Sequence, residues 1–368
     1  MKIAIVGAGI VGVSAAYHLS RNGFEVLLID KEHQGEATAA GAGIICPWLS
    51  SKAVNPDWYR FAKESACYYP KLIELLNQDE ESQTGFCYSG AMAVSDNGSE
   101  LDRLEAMVMK RREAFPEAGK IRRLNSQQAR ELFPPLREGL QAVHVTGGAR
   151  VDGNLIRLAM KRAAKKHGAV IHHGEADLHI ENGRCTRILM EDRDIEADAV
   201  IAAGGAWVKK QLNSIGVHVK VEPQRGQIIH LEINGKDTAA WPVILPQSSH
   251  YLVSFADSRV VIGATRETGS GFDYRLTAGG VHEVLQEGLK IAPGLADATL
   301  LESRIGFRPA SEDQLPLLGN VPEVKNLVIA TGLGPSGLTM GPLAGVIAAE
   351  LAVKNNISMD LRAYDPLR

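Results

Sequence analysis

An α/β fold in two parts is predicted: a discontinuous domain around a parallel sheet, and a second, largely antiparallel α+β domain. Three observations predict it. The first thirty residues, MKIAIVGAGIVGVSAAYHLSRNGFEVLLID, run from an apolar strand through a glycine turn and a small-residue helix to a second apolar strand. Alternating strand and helix patterns return after Val151 and again near the C-terminus. Between them, residues 219–307 carry short strands interrupted by one helix, the texture of antiparallel pairing. The expected boundaries place residues 1–85, 140–218 and 309–368 in the first domain and 86–139 and 219–308 in the second.

The opening unit is the sequence form of a Rossmann-like dinucleotide cradle. Gly7 lets the strand turn tightly, Gly9 lets backbone approach a pyrophosphate, and Gly12 lets the helix pack closely on the strand. The positive end of the helix then meets the phosphates. Asp30 ends the second strand, where its carboxylate can accept hydrogen bonds from ribose hydroxyls and would repel a 2′-phosphate. Nicotinamide and flavin dinucleotides both stay open at this point.

The remaining elements follow in order. Gly35 to Gly43 (GEATAAGAG) has small side chains that let a large group lie against backbone, or simply form a loop. A helix is predicted over Pro56 to Asn77, its aromatic residues belonging to the core. A strand at Met92 to Val94 and charged helical segments up to Leu132 precede the break at Pro134-Pro135. Asp152 caps a helix over Asn154 to His167, with Leu155, Leu158 and Ala159 inward and Gly168 at its end. Strands follow at Ala169 to Ile171 and Ala176 to Ile180, the latter turning at Asn182-Gly183. In ADAVIAAGGAW, Gly204 and Gly205 suit either a second approach to the nucleotide or a plain turn. Strands Gln227–Leu231, Tyr251–Ser254 and Val260–Ala264, with a helix at Ala278–Ile291, build the second domain. A last strand at Leu327–Ala330 leads through TGLGPSGLTMGP into a small-residue helix from about Gly337 to Val353.

Composition sets limits. With 368 residues, 45% hydrophobic and 23% charged, the chain can bury a substantial core. A formal charge of -3 argues against nucleic acid held by a general basic field. Cys46, Cys67, Cys87 and Cys185 lack C-x-x-C spacing and read as small thiols in a reducing compartment. His172 and His173 are strand neighbours pointing to opposite faces, so no metal site is expected. The motif starts at Met1 and no apolar run reaches membrane-spanning length, so no signal peptide and a cytoplasmic location are expected.

Together, GAGIVG with Asp30, TAAGAG, ADAVIAAGGAW, HYLVSFADSRVVIGAT, GFRPASEDQLPLLG and GLGPSGLTMGP resemble the D-amino acid oxidase superfamily of flavoproteins. The likeness is to the glycine oxidase and sarcosine oxidase-like branch and covers essentially the whole chain. It implies FAD rather than NAD. Some relatives bind FAD covalently through a late cysteine or a histidine in the flavin loop. Here no cysteine follows Cys185 and no histidine lies between Gly35 and Pro47, so non-covalent FAD is expected.

The resemblance also implies a site. Ile10 and Val11 would face the pyrophosphate, Asp30 and Lys31 the adenosine ribose, and Ala176 the adenine. Ala37, Thr38, Ala42, Gly43 and Ile44 would line the phosphates and flavin. Leu333, Gly334, Pro335, Ser336, Gly337, Leu338 and Thr339 would lie under the isoalloxazine, where a helix dipole favours the charge gained on reduction. Arg308 of GFRP would grip a substrate carboxylate with support from the Tyr251 hydroxyl, and Arg304 would share its face. A hairpin turning near Asp257 pairs Tyr251 with Ile262 or Gly263, which brings Arg266 to the same strand end. Glycine-using relatives tend to carry an apolar residue at the Arg266 position and a basic one at that of Pro335. These departures point to a larger or more polar amino acid, or to a second carboxylate on Arg266.

The implied activity is oxidative deamination or demethylation of a small amino acid such as glycine, sarcosine or a D-amino acid. Hydride passes to flavin with no catalytic side-chain base, and oxygen is the acceptor, giving peroxide. The alternatives are a dehydrogenase that passes electrons to a quinone or partner subunit, a nicotinamide-dependent dehydrogenase, and a non-catalytic flavoprotein subunit. The family likeness is compatible with a homo-oligomer.

Overall fold

The structure is a computed structural model describing residues 1–355 and 357–368. Strand Lys2–Val6 pairs in parallel with Glu25–Asp30 on one side and Ala199–Ala202 on the other. Val170–His173 and Val324–Thr331 extend the parallel set, and Leu317–Val321 closes one edge antiparallel, giving six strands. Ala199–Ala202 is buried at all four positions, as expected of a strand covered on both faces. Helices Ile10–Arg21 and Gly337–Ala352 pack together because Gly341 and Gly345 leave no side chain between them. A Cβ at either would meet Ile10 or Ser14 at 2.5 Å, and the Ser14 hydroxyl donates to the Pro342 carbonyl at 2.7 Å.

The second sheet has nine strands, almost all antiparallel. Val221–Glu232 is its spine, flanked by Arg259–Gly263 and by the long strand Thr299–Ser311. The hairpin register is the expected one, Tyr251 opposite Gly263. A separate three-stranded meander, Asp177–Glu181, Arg184–Leu189 and Asp194–Glu196, turns through Asn182 and Gly183, both with positive φ.

Two expectations need correction. Strand Gln141–Val145, on the first-domain side of the 139/140 boundary, pairs between Ala91–Ser95 and Ile121–Leu124 in the nine-stranded sheet. Its apolar pattern suits either sheet, and only pairing distinguishes them. In helix Gly153–Lys166, the inward face is Ile156, Ala159, Met160 and Ala163, while Leu155 is exposed. Asp152 does cap this helix, accepting from the Asn154 and Leu155 amides, and that anchor sets the face. Among the described residues no helix is long and apolar enough to cross a membrane, and no cluster of three His, Cys, Asp or Glu is placed to hold a metal.

Candidate active site

A cavity of about 830 Å³ opens at the C-terminal ends of the parallel strands and runs to the edge of the large sheet. This is the crevice where open α/β sheets place their ligands. All the residues named above for cofactor and substrate line it except Gly12, Ser336 and Arg304. Gly12 stands behind the turn, where a Cβ would lie 1.8 Å from the Gly7 carbonyl oxygen, so its role is helix–strand packing. Ser336 turns away because its hydroxyl accepts a hydrogen bond from Trp58 Nε1 at 3.2 Å.

The lining suits a flavin dinucleotide. Gly7 adopts φ +108°, and a Cβ there would strike the Ala203 backbone. Gly43, at φ +80°, lies so close to Val151 that a Cβ would sit 1.7 Å from its carbonyl oxygen. The long helices starting at Ile10 and Gly337 both begin at the cavity wall without a side-chain cap from their N-cap residues and without an acid in the first turn. Thr38 Oγ1 accepts from the Ile10 amide at 3.0 Å, leaving the other first-turn donors to a ligand. A positive helix end without its own anion is complementary to phosphate at one helix and to the electron-rich flavin edge at the other.

At the nucleotide end, Asp30 accepts from the Ala8 and Glu32 amides, which fixes the carboxylate. Lys31 pairs with Glu175, and Lys31 with Lys210 holds the Glu175 carboxyl down at about 2. Burial and the nearby Asp30 charge raise Glu36 to about 7, although Arg157 stands 3.3 Å from it. His33 stacks on Trp207 at 4.5 Å and Trp207 on Phe272 at 4.9 Å, forming an aromatic wall. No periodicity marks that wall in the sequence, because its members come from three separate loops.

At the flavin end, the turn before Gly337 is tied down by aromatic residues of helix Pro56–Gln78. Trp58 holds Ser336, and the Tyr69 hydroxyl donates to the Leu338 carbonyl. Thr339 Oγ1 donates to the Ile44 carbonyl at 2.9 Å, joining this turn to the flavin loop. These aromatics are core residues as expected, and their polar tips also position the cavity wall.

The substrate end is built on two further glycines that no sequence signal singled out. Gly226 lies opposite Gly306 in the ladder between Val221–Glu232 and Thr299–Ser311. The Arg308 guanidinium lies over it: a Cβ at Gly226 would stand 2.4 Å from Nη2. Likewise a Cβ at Gly263 would meet the Tyr251 ring and hydroxyl at 2.4 Å. Arg308 Nη1 donates to the Thr265 carbonyl at 3.0 Å, and no carboxylate pairs with Arg308 or Arg266 among the described residues. Glu312 instead pairs with Lys220 and Asp313 with Arg368. Nearby Arg225, by contrast, is matched by Glu267 and Asp273. Arg304 is taken by Glu302 and the Ala39 carbonyl, outside the cavity lining. Burial lowers the Arg308 pKa and raises that of Tyr251, so a charged donor fork stands beside a neutral hydroxyl. Two guanidiniums on the cavity wall, with no carboxylate in salt-bridge range among the described residues, make a receptor for carboxylate.

The chain belongs to the FAD-dependent oxidoreductase family designated DAO, whose pattern it matches over residues 2–351. Its place is in the glycine oxidase-like branch, and its cofactor is FAD. The oxidoreductase YurR of Bacillus subtilis (strain 168) is 47% identical, over 98% of this chain and 97% of its own. Glycine oxidase of Geobacillus kaustophilus (strain HTA426) is 26% identical, over 100% and 96%. Among solved structures, iminodiacetate oxidase (IdaA) from Chelativorans sp. BNC1 superposes with a TM-score of 0.96 at 48% identity, covering 99% of this chain and 98% of its own. Glycine oxidase from Geobacillus kaustophilus superposes with a TM-score of 0.86 at 25% identity, covering 100% and 98%. The protein is therefore an enzyme that oxidises an amine or amino acid with FAD.

Proposed function

We propose that this enzyme oxidises a small amine bearing two carboxylates, of the iminodiacetate kind, with oxygen as acceptor. The observation that carries this reading is the pair of acid-free guanidiniums, Arg308 and Arg266, at one end of the cavity. Glycine, sarcosine or a D-amino acid with a neutral side chain would satisfy one of them and leave the other unmatched. A second carboxylate engages both, and each charge-assisted bond adds about 1.5–3 kcal/mol. The likeness to an iminodiacetate oxidase supports the same substrate class.

In this reading Arg308 and the Tyr251 hydroxyl hold one carboxylate and Arg266 holds the other, leaving a methylene C–H between carboxylate and nitrogen fixed in direction. Bound FAD supplies the two-electron acceptor for that hydride. The side chains named contribute orientation and charge, and none is needed as a base once the amine is unprotonated. The nitrogen lone pair becomes the second bond of an imine, which water splits into glyoxylate and glycine. FAD is held without a covalent bond: among the described residues no cysteine lines the cavity, and the histidine that does, His33, is stacked on Trp207.

Anaerobic bleaching of the visible flavin band across iminodiacetate, sarcosine, glycine and D-alanine tests the substrate. Iminodiacetate should reduce the flavin at the lowest concentration, whereas sarcosine or glycine doing so overturns the reading. Peroxide formed in stoichiometric yield supports oxygen as acceptor, and turnover only with dye or quinone refutes it. Acid precipitation should leave the flavin in solution.

A further inference from the structure

The two guanidiniums of the carboxylate end meet at one irregularity in the large sheet. Strand Val221–Glu232 pairs with Arg259–Gly263 as far as Ile228 opposite Gly263, and pairs again from Arg225 opposite Glu267. Between those pairs two residues, Gly226 and Gln227, face three, Ala264, Thr265 and Arg266. The extra residue makes a bulge, the device by which an antiparallel sheet re-aims side chains beside a site. Ala264 and Arg266 line the cavity, and the Thr265 carbonyl between them accepts from Arg308 Nη1 at 3.0 Å.

The bulge is closed from behind by a side chain. Thr265 is buried, and its amide donates to the Gln227 carbonyl at 3.2 Å. Its hydroxyl accepts from the Gln227 amide at 3.0 Å, replacing the carbonyl that a regular ladder would offer. The same hydroxyl donates to Glu267 Oε1 at 2.7 Å. Glu267 also accepts from Gln227 Nε2 at 2.7 Å and from Arg225 Nε at 2.9 Å. Arg225 in turn donates to the Asp273 carbonyl at 2.9 Å, so the carboxylate is fixed from several sides. Burial works against the Glu267 charge, but the bonds from Thr265, Gln227 and Arg225 outweigh it and hold the carboxyl below its ordinary pKa. A buried ion pair adds little stability over apolar packing. What this one fixes is the direction of the Thr265 peptide.

We propose that Thr265 and Glu267 are positioning residues: their hydroxyl-to-carboxylate bond locks the bulge that aims Arg308 and Arg266 at the substrate's carboxylates. The inference rests on the carboxylate reading above and assigns the residues that enforce its geometry. Neither residue lines the cavity, so both act through the two arginines. A donor fork binds a carboxylate well only when held within about 0.5 Å of its productive place, which requires supporting hydrogen bonds. The Thr265 carbonyl is such a support, and it can stay in place only while the bulge keeps its shape.

The test uses holoenzyme and two ethers that cannot react as amines, oxydiacetate with two carboxylates and methoxyacetate with one. Binding is read from the perturbed flavin spectrum. Thr265→Val removes the hydroxyl at nearly constant volume, and Thr265→Ser keeps it. Thr265→Val should weaken both ethers by about tenfold or more, and Thr265→Ser by less than about threefold. Glu267→Gln keeps an acceptor for Thr265 but turns an amide toward Arg225, and it too should weaken both. The double variant should lose less than the product of the single losses, because both changes break one relay. A purely structural role would lower flavin content and melting temperature and leave the ether affinity of the flavin-loaded fraction unchanged. Wild-type affinity in flavin-loaded Thr265→Val, an equal loss in Thr265→Ser, or multiplicative losses in the double variant overturn the proposal. Should Thr265→Val yield no folded protein, Glu267→Gln decides: weakened ethers support the proposal and wild-type affinity overturns it. If ether binding depends on the Thr265 hydroxyl but iminodiacetate is not oxidised, the substrate reading fails and the positioning role stands. If iminodiacetate is oxidised and Thr265→Val binds the ethers as wild type does, the reverse holds. Wild type binding neither ether overturns both.

Discussion

Replacing Gly226 by alanine separates the carboxylate site from the fold. The φ of Gly226 lies outside the left-handed region, so alanine has no backbone strain to overcome there. Its reduced freedom in the unfolded chain favours the folded state by up to about 1 kcal/mol. The added Cβ would stand 2.4 Å from Nη2, 2.6 Å from Cζ and 2.7 Å from Nη1 of Arg308. Ordinary contact requires about 3.5 Å, so the guanidinium retreats by roughly 1 Å. That shift breaks the 3.0 Å bond to the Thr265 carbonyl and moves the fork off the carboxylate. Loss of one charge-assisted bond is about 1.5–3 kcal/mol, or roughly 10- to 150-fold in KM. Misplacing the reacting C–H by a comparable distance lowers kcat as well, by up to about 10²-fold. The assay is steady-state oxidation of the amine that the substrate panel selects, beside the flavin-to-protein ratio and the melting temperature. Full flavin, an unchanged or higher Tm and a kcat/KM reduced by at least tenfold are expected. A fully flavinated variant with kcat/KM within twofold of wild type would refute the placement of the carboxylate on Arg308.

Gly43→Ala should behave oppositely, because the φ of +80° and the Val151 carbonyl 1.7 Å from the new Cβ leave only backbone to move. A loss of more than about 3 kcal/mol and poor flavin retention are expected, and wild-type melting with full flavin would contradict this. Burial pushes the His18 pKa down to about 4, while Tyr68 holds its ring at 2.7 Å. A histidine with a folded pKa below its ordinary 6.5 gains its proton on unfolding, so its contribution is complete above about pH 6.5 and is lost as pH falls toward 4. Urea melts should show His18→Gln losing about 3 kcal/mol less than wild type between pH 7 and 4, and parallel acid limbs would refute the assignment.

What was legible in the sequence is what a single residue's sterics decide. Gly7 and Gly43 carry left-handed φ values, and Asp152 caps its helix, because each acts within a few residues of chain. Arg266 was legible one level higher, through the Tyr251–Gly263 register of a short hairpin. Gly226 was not. The meaning of Gly226 lies in a ladder to a strand about eighty residues away. Leu155 was misread as core because leucine is apolar wherever it stands, whereas the face of that helix is fixed by packing.

The central position of strand Lys2–Val6 has a consequence for synthesis. The first strand made pairs early with Glu25–Asp30, but its other edge waits for Ala199–Ala202, and the flavin turn waits for Leu333–Thr339. At about 5–20 residues per second, that edge stays open on the ribosome for on the order of 10–40 s. A growing chain of this enzyme therefore carries that apolar, half-paired strand through about half of its translation. It cannot complete its grip on FAD until nearly the whole polypeptide has emerged, so the cofactor joins a finished scaffold rather than nucleating one.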